Sequence, residues 1–476
     1  MFVARKPRSH RLGGVALAVS SIALVAASVA PSAQAATPSL AAAPATPIAE
    51  LSTAVARPYD DVLAHTRSAA PPTTADCEAN FGIACYSPNQ YEAAYDMLPL
   101  YKAGLTGKGK TIVIVDSFGS PTVAADLAQF DHDFGLPAPP SLTVIAPAGP
   151  IPPFDPTNSD MVGWAEETSL DVQYSHAMAP GANILLVETP VSETEGTVGF
   201  PEIVEAENYV INHNLGDVIT QSFGATEETF PSAQSLLDLR SAFTNAQAHH
   251  VTVLGASGDG GATDSESDLV NFYPFRVDSW PSTDPLVTSV GGTQLHLTAA
   301  GTRTAPDNVW NDTALFGSPA ASGGGLSTIF PRPGFQLLDA SVVGSRRGTP
   351  DISMSAAVDG GALVYLGFDD GTGDPPGYGV IGGTSEASPL FSGVVAVADQ
   401  AAGHRLGLLD PDLYLLGLVR APGIPDVTLG NNSVTFPQGG QTITVPGFNA
   451  TRGYDLASGL GTVDGAKLVS ELSLFP

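Results

Sequence analysis

At 476 residues the chain is long enough to bury a large core, and its 19 Lys and Arg against 48 Asp and Glu leave a net charge of −29. That balance excludes nucleic acid as a partner, because phosphate binding needs a basic footprint. Two cysteines are too few for a zinc site.

The first residues carry Arg5, Lys6, Arg8 and Arg11, then an apolar run over 15–30, then the small residues of Ala33-Gln34-Ala35. This is the pattern of a secretory signal peptide, residues 1–35, cut after Ala35. The run is too short and too rich in Ala and Ser for a membrane span, so the product is expected to be secreted, free of membrane and monomeric. Cleavage there removes four basic and no acidic residues, taking the net charge from −29 to about −33. Residues 36–76 are Ala, Pro, Thr and Ser with poor apolar periodicity, which reads as a largely disordered linker or short pro-segment.

One folded domain is expected over 77–476. Outside the cell Cys77 and Cys85 are expected to pair, and so short a loop contributes roughly 2–3 kcal/mol in the chain-entropy model. A helix over 91–103 follows. Buried strands are then predicted at 110–116, 183–188, 217–221, 251–256 and 286–290, with helix-like segments between several of them. Strands apolar on both faces and alternating with helices imply an α/β fold with a doubly wound parallel sheet, whose sites collect at the carboxyl ends of the strands.

Four acidic positions and one serine stand out. In the helix-like stretch 164–173, Glu167 and Asp171 are spaced i, i+4, so they share a face and are close enough to share a proton. Asp259 follows the strand 251–256 in Ser257-Gly258-Asp259-Gly260, where it is either a turn residue or, if protonated, a donor to an oxyanion. Asp116, ending the first strand, is a rival acid. Ser385 lies in Gly382-Gly383-Thr384-Ser385-Glu386-Ala387-Ser388-Pro389, a glycine turn feeding a buried helix, with Pro389 early enough to be tolerated. The helix N-terminus there favours developing negative charge. No His-Gly-Thr segment supplies a base, and His176 reads as structural.

These motifs together resemble the sedolisin family, serine-carboxyl peptidases with a subtilisin-like fold in which glutamate replaces the histidine base. The resemblance covers the chain from about Cys77 onward. Gly383-Thr384-Ser385 matches the nucleophile segment, Glu167 and Asp171 the Glu-x-x-x-Asp pair, Asp259 the Ser-Gly-Asp segment, and Ser222-Phe223-Gly224 the substrate-binding strand. The resemblance implies a secreted, acid-acting peptidase with catalytic Ser385, Glu167, Asp171 and Asp259, acting on polypeptides. It also implies one structural Ca²⁺, held by the carboxylates of Asp426 and Asp455 and the carbonyls of Val427, Thr451 and Gly453; Thr451 stands where the family commonly has Gly. Residues 36–76 depart from the family, whose members usually carry a large folded prodomain. Two other readings are a subtilisin-like peptidase using Asp116 with a histidine, and an inert secreted binding protein on the same scaffold.

Overall fold

The structure, a computed structural model, describes residues 57–58, 61–192, 197 and 199–476. All of them fall in the unit Glu50–Pro476, so the signal-peptide reading lies outside the described residues. At the centre is an eight-stranded sheet in the order Asn308–Val309, Thr288–Gln294, Thr252–Ala256, Val218–Gln221, Thr111–Ser117, Asn183–Thr189, Leu142–Ile145, with Ile352–Ser355 also pairing Thr288–Gln294. Every pairing in it is parallel except that of the short strand Asn308–Val309. This is a subtilisin-like α/β sheet flanked by helices. The central strands are buried on both faces, Ile112 to Val115 being wholly inaccessible, which is why their sequences are apolar without alternation.

Two long helices carry the chemistry-bearing residues. Ser159–Met178 starts at Asn158, whose side chain accepts from the N–H groups of Asp160 and Met161 at 3.0 and 3.4 Å. Thr384–Ala402 starts after Gly383 at φ 109°, a backbone angle that favours glycine, and ends at Gly403, also left-handed. The helices pack closely because Gly393 has no side chain: a Cβ there would lie 2.4 Å from the Cβ of Met178. Ser175 and Ser392 meet hydroxyl to hydroxyl at 3.0 Å. Pro389 sits inside the second helix and not in its first turn. Its missing N–H would have bonded the Ser385 carbonyl, and that carbonyl therefore loses its intrahelical partner.

Three other local expectations changed. The helix expected over 91–103 is two helices, Pro88–Ala94 and Leu98–Lys102, separated at Asp96, which takes a left-handed φ of 55°. The last of the predicted strands is Thr288–Gln294, shifted from the expected 286–290. The end of the interval read as a linker carries strands: Arg57–Pro58 pairs antiparallel with Phe223–Thr226, and Asp61–Ser68 pairs antiparallel with Gly377–Gly382. A disulfide ties Cys77, within the helix Thr74–Phe81, to Cys85 in the strand Cys85–Tyr86.

Candidate active site

Strand ends and helix starts converge. Val218–Gln221 delivers Ser222, Thr252–Ala256 delivers Asp259 three residues on, and Thr384–Ala402 opens with Ser385 as its second residue. The Ser175–Ser392 contact fixes the two helices side by side. Glu167 lies eight residues before that contact and Ser385 seven before it, each about 10–12 Å back along its own helix at 1.5 Å per residue. Gly393 against Met178 lies further along both helices, so they run in the same sense and the acid pair and the serine occupy the same end of the helix pair.

Direct contacts close the distance. The Ser385 hydroxyl donates to the Ser222 carbonyl at 3.3 Å, and the Ser222 hydroxyl donates to Asp171 Oδ1 at 2.9 Å. One residue therefore touches both the serine and the acid pair. Asp259 Oδ1 accepts from the Thr384 N–H at 2.8 Å and from the Thr384 hydroxyl at 2.7 Å. Glu167, Asp171 and Ser385 are fully buried and Asp259 is 9% exposed. Burial takes Glu167 and Asp171 off the solvated face that an i, i+4 acid pair could otherwise occupy.

Asp116 makes no hydrogen bond to Ser385. It is fully buried, and burial raises its carboxyl to about 7 against the opposing pull of the nearby Thr168 side chain, Glu188 adding to the rise. His176 is also buried, with Nε2 at 2.8 Å from the Pro137 carbonyl and 3.2 Å from Asp131, consistent with a structural residue. Among the described side chains, no histidine hydrogen-bonds to Ser385.

Sequence reasoning missed three contributors. Ser222 was read only for its backbone, although its hydroxyl holds Asp171. Thr384 was read as part of the glycine turn, although it holds Asp259; its hydroxyl type was the available signal. Glu386, next to Ser385, is fully buried, and burial pushes its carboxyl up to about 8 against the opposing pull of the nearby Tyr91, Ser355 and Ala362 groups.

At the far end of the sequence, Asp426 accepts from the Gly453 N–H at 3.1 Å through Oδ2. Asp455 Oδ2 accepts from the Thr451 N–H at 2.6 Å, while its Oδ1 takes the N–H groups of Ala457 and Ser458 at 3.0 and 2.9 Å. Two carboxylates thus flank the loop 451–455. No cluster of three or more His, Cys, Asp or Glu with metal-binding geometry occurs among the described residues.

The segment with this geometry matches a known family model: residues 158–411 match the one described as "Subtilase family". The chain is 33% identical to kumamolisin from Bacillus sp. (strain MN-32), over 81% of this chain and 63% of that protein. It is 30% identical to sedolisin from Pseudomonas sp. (strain 101), over 80% of this chain and 60% of that protein. The chain therefore spans about three fifths of the length of these curated relatives. A solved structure of Pseudomonas sedolisin, described as a serine-carboxyl proteinase complexed with two molecules of pseudo-iodotyrostatin, superposes with a TM-score of 0.65 at 28% identity. The match covers 82% of this chain and 98% of that one.

Proposed function

The chain belongs to the subtilase family, in its sedolisin branch, and from that premise we propose that it is a secreted peptidase cleaving polypeptides at acid pH. Ser385 attacks the scissile carbonyl, Glu167 takes its proton, and Asp171 orients Glu167. Asp259, protonated, donates to the tetrahedral oxyanion, and Glu167 returns the proton to the leaving amine. The observation that carries this reading is the unbroken line of contacts Asp171–Ser222–Ser385, with Asp259 held by the residue preceding the serine.

The strand Phe223–Thr226 is the binding edge for substrate. Its support is the pairing of Arg57 with Gly224 and Pro58 with Phe223, an extended segment added antiparallel to that edge. Activity falls on the acid side because an Asp donor is lost once it ionises, while a glutamate base is lost below its own pKa.

One Ca²⁺ belongs to the reading as a structural ion. The donor set fits a hard cation: carboxylates of Asp426 and Asp455 on either side of one loop, with the carbonyls of Val427, Thr451 and Gly453 as further oxygen ligands. The ion would hold that loop closed.

The test is the secreted protein incubated with a denatured protein substrate from pH 2 to 8, products read by mass spectrometry. Cleavage confined to the acid range is expected. A neutral-to-alkaline optimum would favour the histidine-dependent alternative, and no cleavage at any pH would favour the inert binding protein.

A further inference from the structure

Thr384 directs two donors at a single carboxyl oxygen. Its N–H and its hydroxyl reach Asp259 Oδ1 at 2.8 and 2.7 Å, and its Oγ1 accepts from the Gly258 N–H at 3.0 Å. The Gly258 bond fixes the rotor: with an amide hydrogen aimed at the hydroxyl oxygen, the hydroxyl's own proton is directed to Asp259. Thr384 is fully buried, so water does not compete for these bonds.

We propose that Thr384 is a positioning residue that selects which oxygen of Asp259 carries the proton and holds that oxygen in register with Ser385. The inference rests on reading Asp259 as the oxyanion donor. With two hydrogens already directed at Oδ1, a third proton there would meet them head-on, so the neutral carboxyl carries its proton on Oδ2. Register follows from connectivity. Thr384 and Ser385 are consecutive in the first turn of one helix, whose start is anchored by Gly383 N–H donating to the Ala356 carbonyl at 2.6 Å. Nucleophile and donor then move as one unit, and such sites tolerate only about 0.5 Å of drift. The titrating groups of the same site on the facing helix, Glu167 and Asp171, govern the acid limb of the pH profile and not the alkaline one.

The experiment compares Thr384→Val, which keeps shape and amide but loses the hydroxyl, with Thr384→Ser, which keeps the hydroxyl. Thr384→Val should lower kcat by about 10–100-fold, less than the roughly 10²–10³ expected for losing the donor outright, with KM changed by less than about twofold. Its alkaline limb should move to higher pH, because an ionised Asp259 would have one stabilising donor fewer. Thr384→Ser should recover kcat to within about threefold and restore the limb, as expected where the hydroxyl and not the methyl matters. In an Asp259→Ala background, Thr384→Val should add less than about a further twofold, since coupled residues are not additive. If Thr384→Val does not fold, Thr384→Ala takes its place with the same expectations.

An unshifted limb with wild-type kcat, a Ser variant as impaired as Val, or a full additional loss in the Asp259→Ala background overturns the proposal. If Asp259→Ala alone leaves kcat and pH profile unchanged, the oxyanion reading itself fails and takes the proposal with it. The Asp259→Ala arm thus separates the two failures.

Discussion

Replacing Glu207 with Gln should make the protein's stability fall less steeply between pH 4 and pH 7. Glu207 is 1% exposed on the helix Phe200–Asn212 and accepts a hydrogen bond from Gln221, the residue before Ser222. Burial pushes its carboxyl up to about 8, against the opposing pull of the Gln221 bond. In the unfolded chain the same group ionises at its ordinary value of about 4.3. Between those values the folded state keeps the proton and the unfolded state has lost it, so stability falls as pH rises, by about 1.4 kcal/mol per unit for this one group. From pH 4 to pH 7 that amounts to about 3 kcal/mol. Gln cannot ionise yet still offers Gln221 an acceptor in the same volume, so the variant lacks this slope. The assay is urea denaturation at pH 4, 5, 6 and 7 in a Ser385→Ala background, comparing the change with pH so that any constant cost of the amide cancels. Parallel curves for Glu and Gln would show that Glu207 is not held neutral, and the argument from burial would fail.

Ser385→Ala should lower kcat by about 10⁴-fold or more while costing about 1 kcal/mol or less of stability, since the hydroxyl makes one long hydrogen bond. If activation is autocatalytic, the same variant should also retain residues 47–70 uncut, which intact mass reads directly. Glu167→Gln should lower kcat by about 10²–10⁴-fold and remove the acid limb of the pH profile; a wild-type acid limb would assign the base elsewhere. Chelation should lower the melting temperature, and Asp455→Ala should mimic it and abolish the response to added Ca²⁺; an unchanged melting curve at matched ionic strength would remove the ion.

The central strands were legible because parallel strands covered on both faces must be apolar throughout, as Ile112-Val113-Ile114-Val115 is. The strand Thr288–Gln294 was misplaced because Gly291-Gly292 looks like a turn. Those glycines serve packing instead: a Cβ on Gly291 would lie 2.6 Å from Pro350, and one on Gly292 would lie 2.7 Å from Ala356 and 3.0 Å from Trp310. Composition hid the strands within residues 57–68 for a different reason. Their pairing is dictated by open edges on Phe223–Thr226 and Gly377–Gly382, which no local pattern reveals. At the site, residue types and spacing singled out Ser385, Glu167, Asp171 and Asp259 as candidates. The hydroxyl contacts of Ser222 and Thr384 stayed invisible because they join residues far apart in the chain, 51 and 125 positions in the two cases.

The proposed acid working range would have two physical sources that reinforce each other. One is chemical: the proposed Asp259 donor needs its proton. The other belongs to the fold, where burial raises Asp116 to about 7 and Glu207, Asp278 and Glu386 to about 8. Each is an acid with a raised folded value, so each favours the folded state most at or below its ordinary pKa, and that advantage is lost as pH climbs toward the folded value. Glu386 couples the two sources. It is fully buried directly after Ser385, so its ionisation near pH 8 would place a buried charge in the first turn of the helix that carries Ser385. Catalysis and stability should therefore fail on the same, alkaline side. A Glu386→Gln variant separates them: it should extend thermal stability toward higher pH without moving the alkaline limb of kcat, which the proposed donor role assigns to Asp259. If the limb moved with stability, loss of activity at high pH would be unfolding, and the Asp proton would not be what sets it.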